Sequence, residues 1–236
     1  MVDAFVVVAG LDSDAVFGRE AREAGRVLSQ RFDAMGRTIV LAAGDGEDAP
    51  ASPANLAIAL ARVGELADPE DAVVLYTTSH GSASEGIAYN DRARGRGAIS
   101  PARLKAMLDD AGVRNRLVIV SACYSGIFVP KLADDRSVVI SAAAANRSSF
   151  GCDSGNDWTY WGDALVNRAM RKAQPLAAAF EEARVSVAAW EAADKFTPSK
   201  PQISVGDDVG TWLGPLEVRM PTVATASVGR SPAGEK

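Results

Sequence analysis

Leu117-Val118-Ile119-Val120-Ser121-Ala122-Cys123-Tyr124-Ser125-Gly126 is the stretch on which the reading of this chain turns. Its apolar run has the build of a buried strand, and the run stops at a cysteine followed by small residues and a glycine. A cysteine placed there sits on the rim of a sheet, not inside it. Ala72–Gly81 has the same build, Ala-Val-Val-Leu-Tyr-Thr-Thr-Ser-His-Gly, and the residue past its end is His80, the only histidine in the chain. Two strands that each end in one half of a thiol–imidazole pair suggest a cysteine nucleophile and its base.

Working outward, Ala4–Ala9 reads as a central parallel strand ended by Gly10. A helix is predicted from Gly18 or Arg19 to Met35, with Ala21, Ala24, Leu28, Phe32 and Met35 on one face and Gly36 as its stop. Arg37–Ala42 is a second strand, followed by a loop over Gly44–Ala51. Ser52-Pro53 and Ser100-Pro101 are helix starts, with serine as N-cap and proline in the first turn. Leu56, Ala59, Leu60, Val63 and Leu66 form the buried face of the first. Leu104, Met107, Leu108 and Ala111 form that of the second. His80–Arg96 reads as an exposed loop with room for a small hairpin at Gly86–Tyr89. The charged cluster Asp91, Arg92, Arg94 and Arg96 reads as a solvated part of it.

Ser137–Ala142 is a further strand. The long polar stretch Asn146–Tyr160 carries Phe150, Cys152 and Trp158, and a loop of that length in a folded domain is usually functional. Helices are predicted over Trp161–Lys172 and Pro175–Lys195, and a short strand over Pro201–Gly206. From Pro221 the chain holds little to bury and reads as a disordered tail over 221–236. Strands and helices alternate without repeat or linker. The fold class is therefore α/β, a mostly parallel sheet with helices on both faces, in a single domain over 1–220. In such sheets ligands bind beyond the carboxyl ends of the strands, and both His80 and Cys123 lie there. One strand–helix–strand unit plus a loop separates them, so a right-handed crossover sets their strands side by side or nearly so.

Composition narrows the function classes. At 47% hydrophobic and 23% charged, the 236 residues can bury a core without staples. A net charge of −5 with no basic block argues against nucleic acid. Two cysteines give no disulfide framework, although a single Cys123–Cys152 bond is compatible with the count. One histidine with two cysteines makes a poor zinc site, and no cofactor motif is evident. No stretch is long enough to span a membrane, and Met1–Gly10 lacks the basic start of a secretory signal. The chain enters its first strand almost at once, as a domain cut from a longer protein would. It is expected to be cytoplasmic if complete, and periplasmic or membrane-tethered if a fragment.

The bland alternatives are that Cys123 is buried apolar filler and His80 an ordinary loop histidine. Cys152 is the rival nucleophile, but it sits in a polar loop and no second histidine exists to serve it. Asn55 and Asn90 are candidate third members of a triad, though nothing selects them. Trp158–Trp161 reads as loop packing. Amides at Gly81 and around Tyr124-Ser125-Gly126 are candidate oxyanion donors.

Ser-His-Gly after one apolar strand and Ser-Ala-Cys-Tyr-Ser-Gly after the next resemble the legumain (asparaginyl endopeptidase) family, its bacterial branch most. That family belongs to the caspase-like group, with the catalytic subunit of the GPI transamidase. Phe17–Glu20 (Phe-Gly-Arg-Glu), Ala143–Cys152 and Thr159–Asp163 (Thr-Tyr-Trp-Gly-Asp) add to the likeness, which runs from Phe5 to Gly206. It implies a caspase-like three-layer fold. It also implies Cys123 as nucleophile, His80 as general acid/base, and an oxyanion hole from the amides of Gly81 and Cys123. The implied substrate-side-chain pocket is Arg19, Ser121, Ser149 or its neighbour Ser148, and Asp163. Ser121 stands where the family has an acid, so one negative charge is lost. The family's histidine-orienting asparagine falls near Phe17, which leaves that role unfilled.

The expected activity is a cysteine endopeptidase acting on peptides or proteins, with no metal and no cofactor. A polar residue, Asn or Asp, is expected before the cut bond. The alternatives are a transpeptidase or ligase on the same acyl-enzyme, and a non-catalytic caspase-like interaction domain. A redox role for the two cysteines is a further option.

Overall fold

Unbroken runs of β-branched and aliphatic residues form the strands, and Ser-Pro caps and glycine stops set off the helices between them. The structure, a computed structural model, describes residues 1–44, 49–91 and 95–234. In chain order it runs β1 (Ala4–Gly10), α1 (Ala15–Arg31), β2 (Thr38–Ala42), α2 (Pro53–Leu66) and β3 (Ala72–Thr78). Next come β4 (Gly81–Ser82), β5 (Gly86–Asp91), β6 (Gly95–Ile99), α3 (Pro101–Asp110) and β7 (Asn115–Ser121). Then follow α4 (Val129–Leu132), β8 (Ser137–Ser141), α5 (Leu176–Ala193), β9 (Gln202–Val205) and α6 (Gly210–Val218).

Six strands make the central sheet in the order β2-β1-β3-β7-β8-β9. All neighbours are parallel except β8 and β9. Alternate side chains of each strand point to opposite faces. Val6, Val8, Val74, Tyr76, Leu117 and Ile119 meet one layer, built on α1, α5, α6 and Trp158–Met170. Val7, Ala9, Val73, Leu75, Val118 and Val120 meet the other, built on α2, α3 and α4. Because β1, β3 and β7 are buried over their whole length, their sequences show continuous apolar runs instead of alternation. The α/β expectation with helices on both faces is met.

Both Ser-Pro starts behave as caps. Ser52 Oγ accepts the amide of Asn55 at 3.1 Å, and Ser100 Oγ accepts that of Arg103 at 3.2 Å. Other boundaries differ. Helix α1 begins at Ala15 and ends at Arg31, because Asp33 takes a left-handed conformation (φ 50°) and turns the chain early. Met35, expected on its buried face, is 81% exposed, and Leu66, expected on that of α2, is 54% exposed. His80–Arg96 is not a plain loop. Gly81–Ser82, Gly86–Asp91 and Gly95–Ile99 pair as a small antiparallel sheet in the order β4-β5-β6. Of the charged cluster there, Arg92 and Arg94 lie outside the described residues, as do 45–48 of the Gly44–Ala51 loop.

The segment expected as a regular helix over Trp161–Lys172 is instead a wide π-type turn at Gly162–Arg168 followed by a 3₁₀ turn at Ala169–Arg171. Gly162 lies against the buried Glu20 carboxylate there, and its ideal Cβ would fall 2.4 Å from Glu20 Oε2. The C-terminal segment lies mostly exposed along the surface. Irregular in secondary structure, it is nonetheless tied to the fold as far as Gly234. The amide of Thr225 donates to Arg171 O, that of Val228 to Asn167 Oδ1, and that of Arg230 to Asp157 Oδ2. Ala233 is buried. Isolated polar bonds of this kind, made by the backbone, leave no hydrophobic signature in the sequence.

Gly64 in α2 provides a test of the layer packing. An alanine in a helix interior is ordinarily about 1 kcal/mol better than glycine. Here the added Cβ would lie 1.8 Å from the backbone oxygen of Ala111. Gly64→Ala is expected to reverse the sign and destabilise by about 1 kcal/mol or more, read as a lower urea midpoint at unchanged slope.

Candidate active site

The parallel register aligns three strand ends. Gly10 pairs with Thr78, and Thr78 pairs with Ser121. The amides of Leu11 and Ser79 extend this ladder, donating to Thr78 O at 3.0 Å and to Ser121 O at 3.1 Å. Two residues past the aligned row, the chain places Asp12 after β1, His80 after β3 and Cys123 after β7. Neighbouring strands lie about 4.8 Å apart, so these residues share one edge at one level. The sheet's topological switch point falls between β1 and β3, since β2 lies on one side of β1 and all later strands on the other. His80 stands at that crevice.

The imidazole is held by groups from two other segments. His80 Nε2 donates to Asp14 Oδ2 at 3.2 Å, from the residue that caps α1. The Cys152 side chain is a hydrogen-bonding partner of the same ring, and the Asp12 carboxylate faces it. Phe17 packs edge-on against it, with ring centroids 5.0 Å apart. The bond with Cys152 is the largest influence on His80. Partial burial opposes it, and Asp14 and the charges of Cys152 and Asp12 add to it. The balance raises the His80 pKa to about 9. The imidazole is therefore the protonated form at neutral pH.

Cys123 is half-buried, and Cys123 and Cys152 are both free thiols. Cys123 Sγ accepts the amide of Ser149 at 3.3 Å and lies 3.3 Å from Ser149 O. No hydrogen bond joins it to His80 among the described residues. Tyr124 follows in a left-handed conformation (φ 58°), with its amide donating to Arg147 O at 2.8 Å. A non-glycine residue in that region stores strain next to the thiol. Gly81 packs directly on Cys123, since an ideal Cβ there would lie 2.1 Å from Cys123 O. Only glycine fits, and this close approach brings the Gly81 backbone against the backbone of Cys123.

The residues expected around the substrate side chain divide into two groups. Ser148 and Ser149 adjoin Cys123: Ser149 through the bonds above, Ser148 through a 3.4 Å bond to Tyr124 Oη. Ser121 is buried, 3.3 Å from Thr159 Oγ1. Arg19 extends to the loop Ser154–Asp157, donating to Ser154 O and Asn156 O and pairing with Asp157 at 2.8 Å. Asp163 is fully buried and accepts from Asn167 Nδ2 at 2.6 Å, Arg168 Nε at 3.1 Å and Ser231 Oγ at 2.7 Å. Arg19 and Asp163 share no direct bond among the described residues. The tail links their surroundings, bonding to Asp157 through Arg230 and to Asp163 through Ser231.

Two sequence expectations change, and a buried acid that the sequence did not mark comes into view. The histidine-orienting position is not unfilled: Asp14, three residues before Phe17, supplies the acceptor. Cys152 is not without a histidine, because it contacts His80. Behind Ser121 and Thr159 lies Glu20, which is fully buried and accepts from Tyr76 Oη and the Thr159 amide, each at 2.6 Å. Burial raises the Glu20 pKa, against the pull of hydrogen bonds from Thr159, Thr78 and Tyr76. The signal for Asp14 was present, since Asp12-Ser13-Asp14 follows a strand end as His80 does. Nothing in the sequence marked Glu20 as buried beside Thr159.

The sequence pattern of the peptidase C13 family matches residues 64–211, which contain both His80 and Cys123. No curated protein matches the chain. Among solved structures, the crystal structure of caspase-1 from Spodoptera frugiperda superposes with a TM-score of 0.57 at 11% identity, covering 86% of each chain. At that identity the likeness concerns the fold. It agrees with the mostly parallel sheet flanked by two helical layers and makes the architecture caspase-like. The family match covers more than half of the chain, and the chain belongs to the peptidase C13 family, the legumain-like cysteine peptidases.

Proposed function

We propose that this cysteine peptidase is an endopeptidase whose nucleophile is Cys123 and whose general acid/base is His80. The observation that carries the reading is the shared register: both residues stand two positions beyond the Thr78–Ser121 pair on adjacent parallel strands. The backbone of Ser149 holds Sγ in place, its amide donating to the sulfur and its carbonyl accepting from the thiol, each at 3.3 Å. His80, on the neighbouring strand end, supplies the imidazole that a cysteine peptidase pairs with its thiol.

In this reading the thiolate attacks the substrate carbonyl carbon. The amides of Gly81 and Cys123 receive the oxyanion. The imidazolium then gives its proton to the leaving amine, and the C–N bond breaks to leave an acyl-enzyme. Neutral imidazole next takes a proton from water, whose oxygen attacks the thioester. The second product leaves as a carboxylic acid and the thiolate returns. Asp14 orients the ring and stabilises its charge. Ser148 and Ser149, which adjoin Cys123 and Tyr124, line the substrate side chain in this reading, whereas Ser121 and Asp163 are buried in the fold and Arg19 is held by the loop Ser154–Asp157, so these three do not contact it directly. Donors and acceptors together suit a polar residue, Asn or Asp, before the cut bond.

Contact with His80 makes Cys152 a rival thiol, but it lacks the strand-end position and the backbone packing of Gly81. Peptide cleavage by Cys123→Ala and Cys152→Ala separates the two. Cys123→Ala is expected to lose essentially all activity, a drop of about 10⁴-fold or more, and Cys152→Ala to retain cleavage. The reverse pattern would move the nucleophile to Cys152, and cleavage by the double variant would end the proposal.

The charge on His80 predicts an alkaline limit. A pKa of about 9, raised above the usual 6.5, keeps the imidazolium present below pH 9 and lost above it. In metal-free buffer, kcat/KM is therefore expected to fall above about pH 9. Asp14→Asn removes a group that raises this pKa, and should shift the limb to lower pH. The groups facing the ring in that titration are Asp12, Asp14 and Cys152. The same sign governs folding: the stabilisation from this charge is complete below about pH 6.5 and lost as pH rises through 9. An alkaline limb that stays in place in Asp14→Asn would remove Asp14 from this role.

A further inference from the structure

Beyond the dyad, the crevice gathers two carboxylates and an imidazole that the proposed reaction does not use together. One ligand atom each from Asp12, Asp14 and His80 can be chosen so that all three lie within 4.8 Å of one another. The tightest pair, His80 Nε2 and Asp14 Oδ2, is 3.2 Å apart. Bonds of about 2.0–2.1 Å from a tetrahedral zinc ion put two ligand atoms about 3.3 Å apart, so this pair already has the separation that one ion requires. Asp12 is 6% exposed, and its Oδ1 accepts the amide of Asp14 at 3.0 Å. That bond fixes the carboxylate on the crevice side of the turn, facing the imidazole. Asp12 and His80 each lie two residues past the ends of β1 and β3, neighbouring strands held in register through Gly10 and Thr78, and Asp14 is the N-cap residue of α1.

We propose that Asp12, Asp14 and His80 form a zinc-binding site whose occupation switches the peptidase off. An imidazole with two carboxylates is a donor set for a borderline divalent ion. Mg²⁺ and Ca²⁺ favour all-oxygen shells of six or more ligands. Three protein ligands leave a fourth tetrahedral position for water or for a substrate group. Coordination occupies the imidazole lone pair and sends the His80 proton to solvent, so the ring neither donates to the leaving amine nor accepts from water. Two carboxylates against one divalent ion leave the occupied site close to neutral. The inhibition rests on the peptidase reading above, whereas the binding does not.

The test is titration of the full, reduced, metal-free chain with zinc chloride by calorimetry, with magnesium and calcium chloride as controls. One zinc per chain is expected, with no heat from the controls. Asp12→Asn, Asp14→Asn and His80→Gln should each weaken binding about tenfold or more, with circular dichroism confirming the fold. Cys152→Ser and Cys123→Ala should bind as the unaltered chain does. No zinc binding, or equal affinity in folded Asp12→Asn and Asp14→Asn, would overturn the site. Loss of binding in either cysteine variant but not in the aspartate variants would also overturn it. In a second arm, zinc should suppress peptide cleavage and a chelator should restore it. Cleavage unaffected at saturating zinc would overturn the switch. Zinc binding by a chain that cleaves no peptide would instead count against the peptidase assignment and leave the metal site standing.

Discussion

The backbone ladder joining Gly10, Thr78 and Ser121 is the constraint on which the site depends. Parallel pairing allows a one-residue slip only at the cost of turning a whole strand's side chains to the wrong layer. Here all of β1, β3 and β7 is buried between two apolar layers, so a slip would swap side chains between two close-packed cores and mispack both. The chemistry-bearing residues follow within two positions of that ladder. Their mutual placement inherits the rigidity of the sheet, although the residues themselves lie in irregular segments. Gly81 belongs to the same constraint, because the backbone there passes too close to Cys123 for any side chain.

Behind the strand ends lies a buried polar layer. Glu20, Tyr76, Thr159 and Ser121 are joined by hydrogen bonds with little solvent. Tyr76 is held far from ionising, first by burial and then by the Glu20 carboxyl. A buried acid in such a chain is tolerated only while its partners stay in place. Helix α1, the wide turn at Gly162–Arg168 and the end of β7 are thereby tied to one another through a single carboxyl group. The wide turn itself is consistent with that demand, since a regular helix would crowd Glu20 where Gly162 now passes.

Sequence legibility followed the physics of each element. Buried parallel strands announce themselves as apolar runs, and Ser-Pro caps mark helix starts, so β1, β3, β7, α2 and α3 were readable from residues alone. The strand ends followed, and with them His80 and Cys123. What was not readable depends on tertiary geometry. Asp14, the N-cap residue of α1, meets His80 from a helix that starts three or four residues earlier than its apolar face suggests. Cys152 meets the imidazole from a loop whose path no periodicity records. The pairing of β4, β5 and β6 escaped because short glycine-rich strands carry little hydrophobic signal. The C-terminal segment escaped because its attachments are single polar bonds.

That last segment has an optical consequence. Trp158 is almost fully buried, and its indole Nε1 donates to Val228 O at 2.8 Å, so one tryptophan is sealed by the strap itself. Trp161 and Trp212 are as deeply buried, but Trp212 Nε1 donates to Arg136 O and Trp161 Nε1 has no partner among the described residues. Lifting the strap would hydrate one indole while those two stayed dry. The emission of the native protein thus carries a built-in reporter of whether its C-terminal segment is seated, readable without any attached dye.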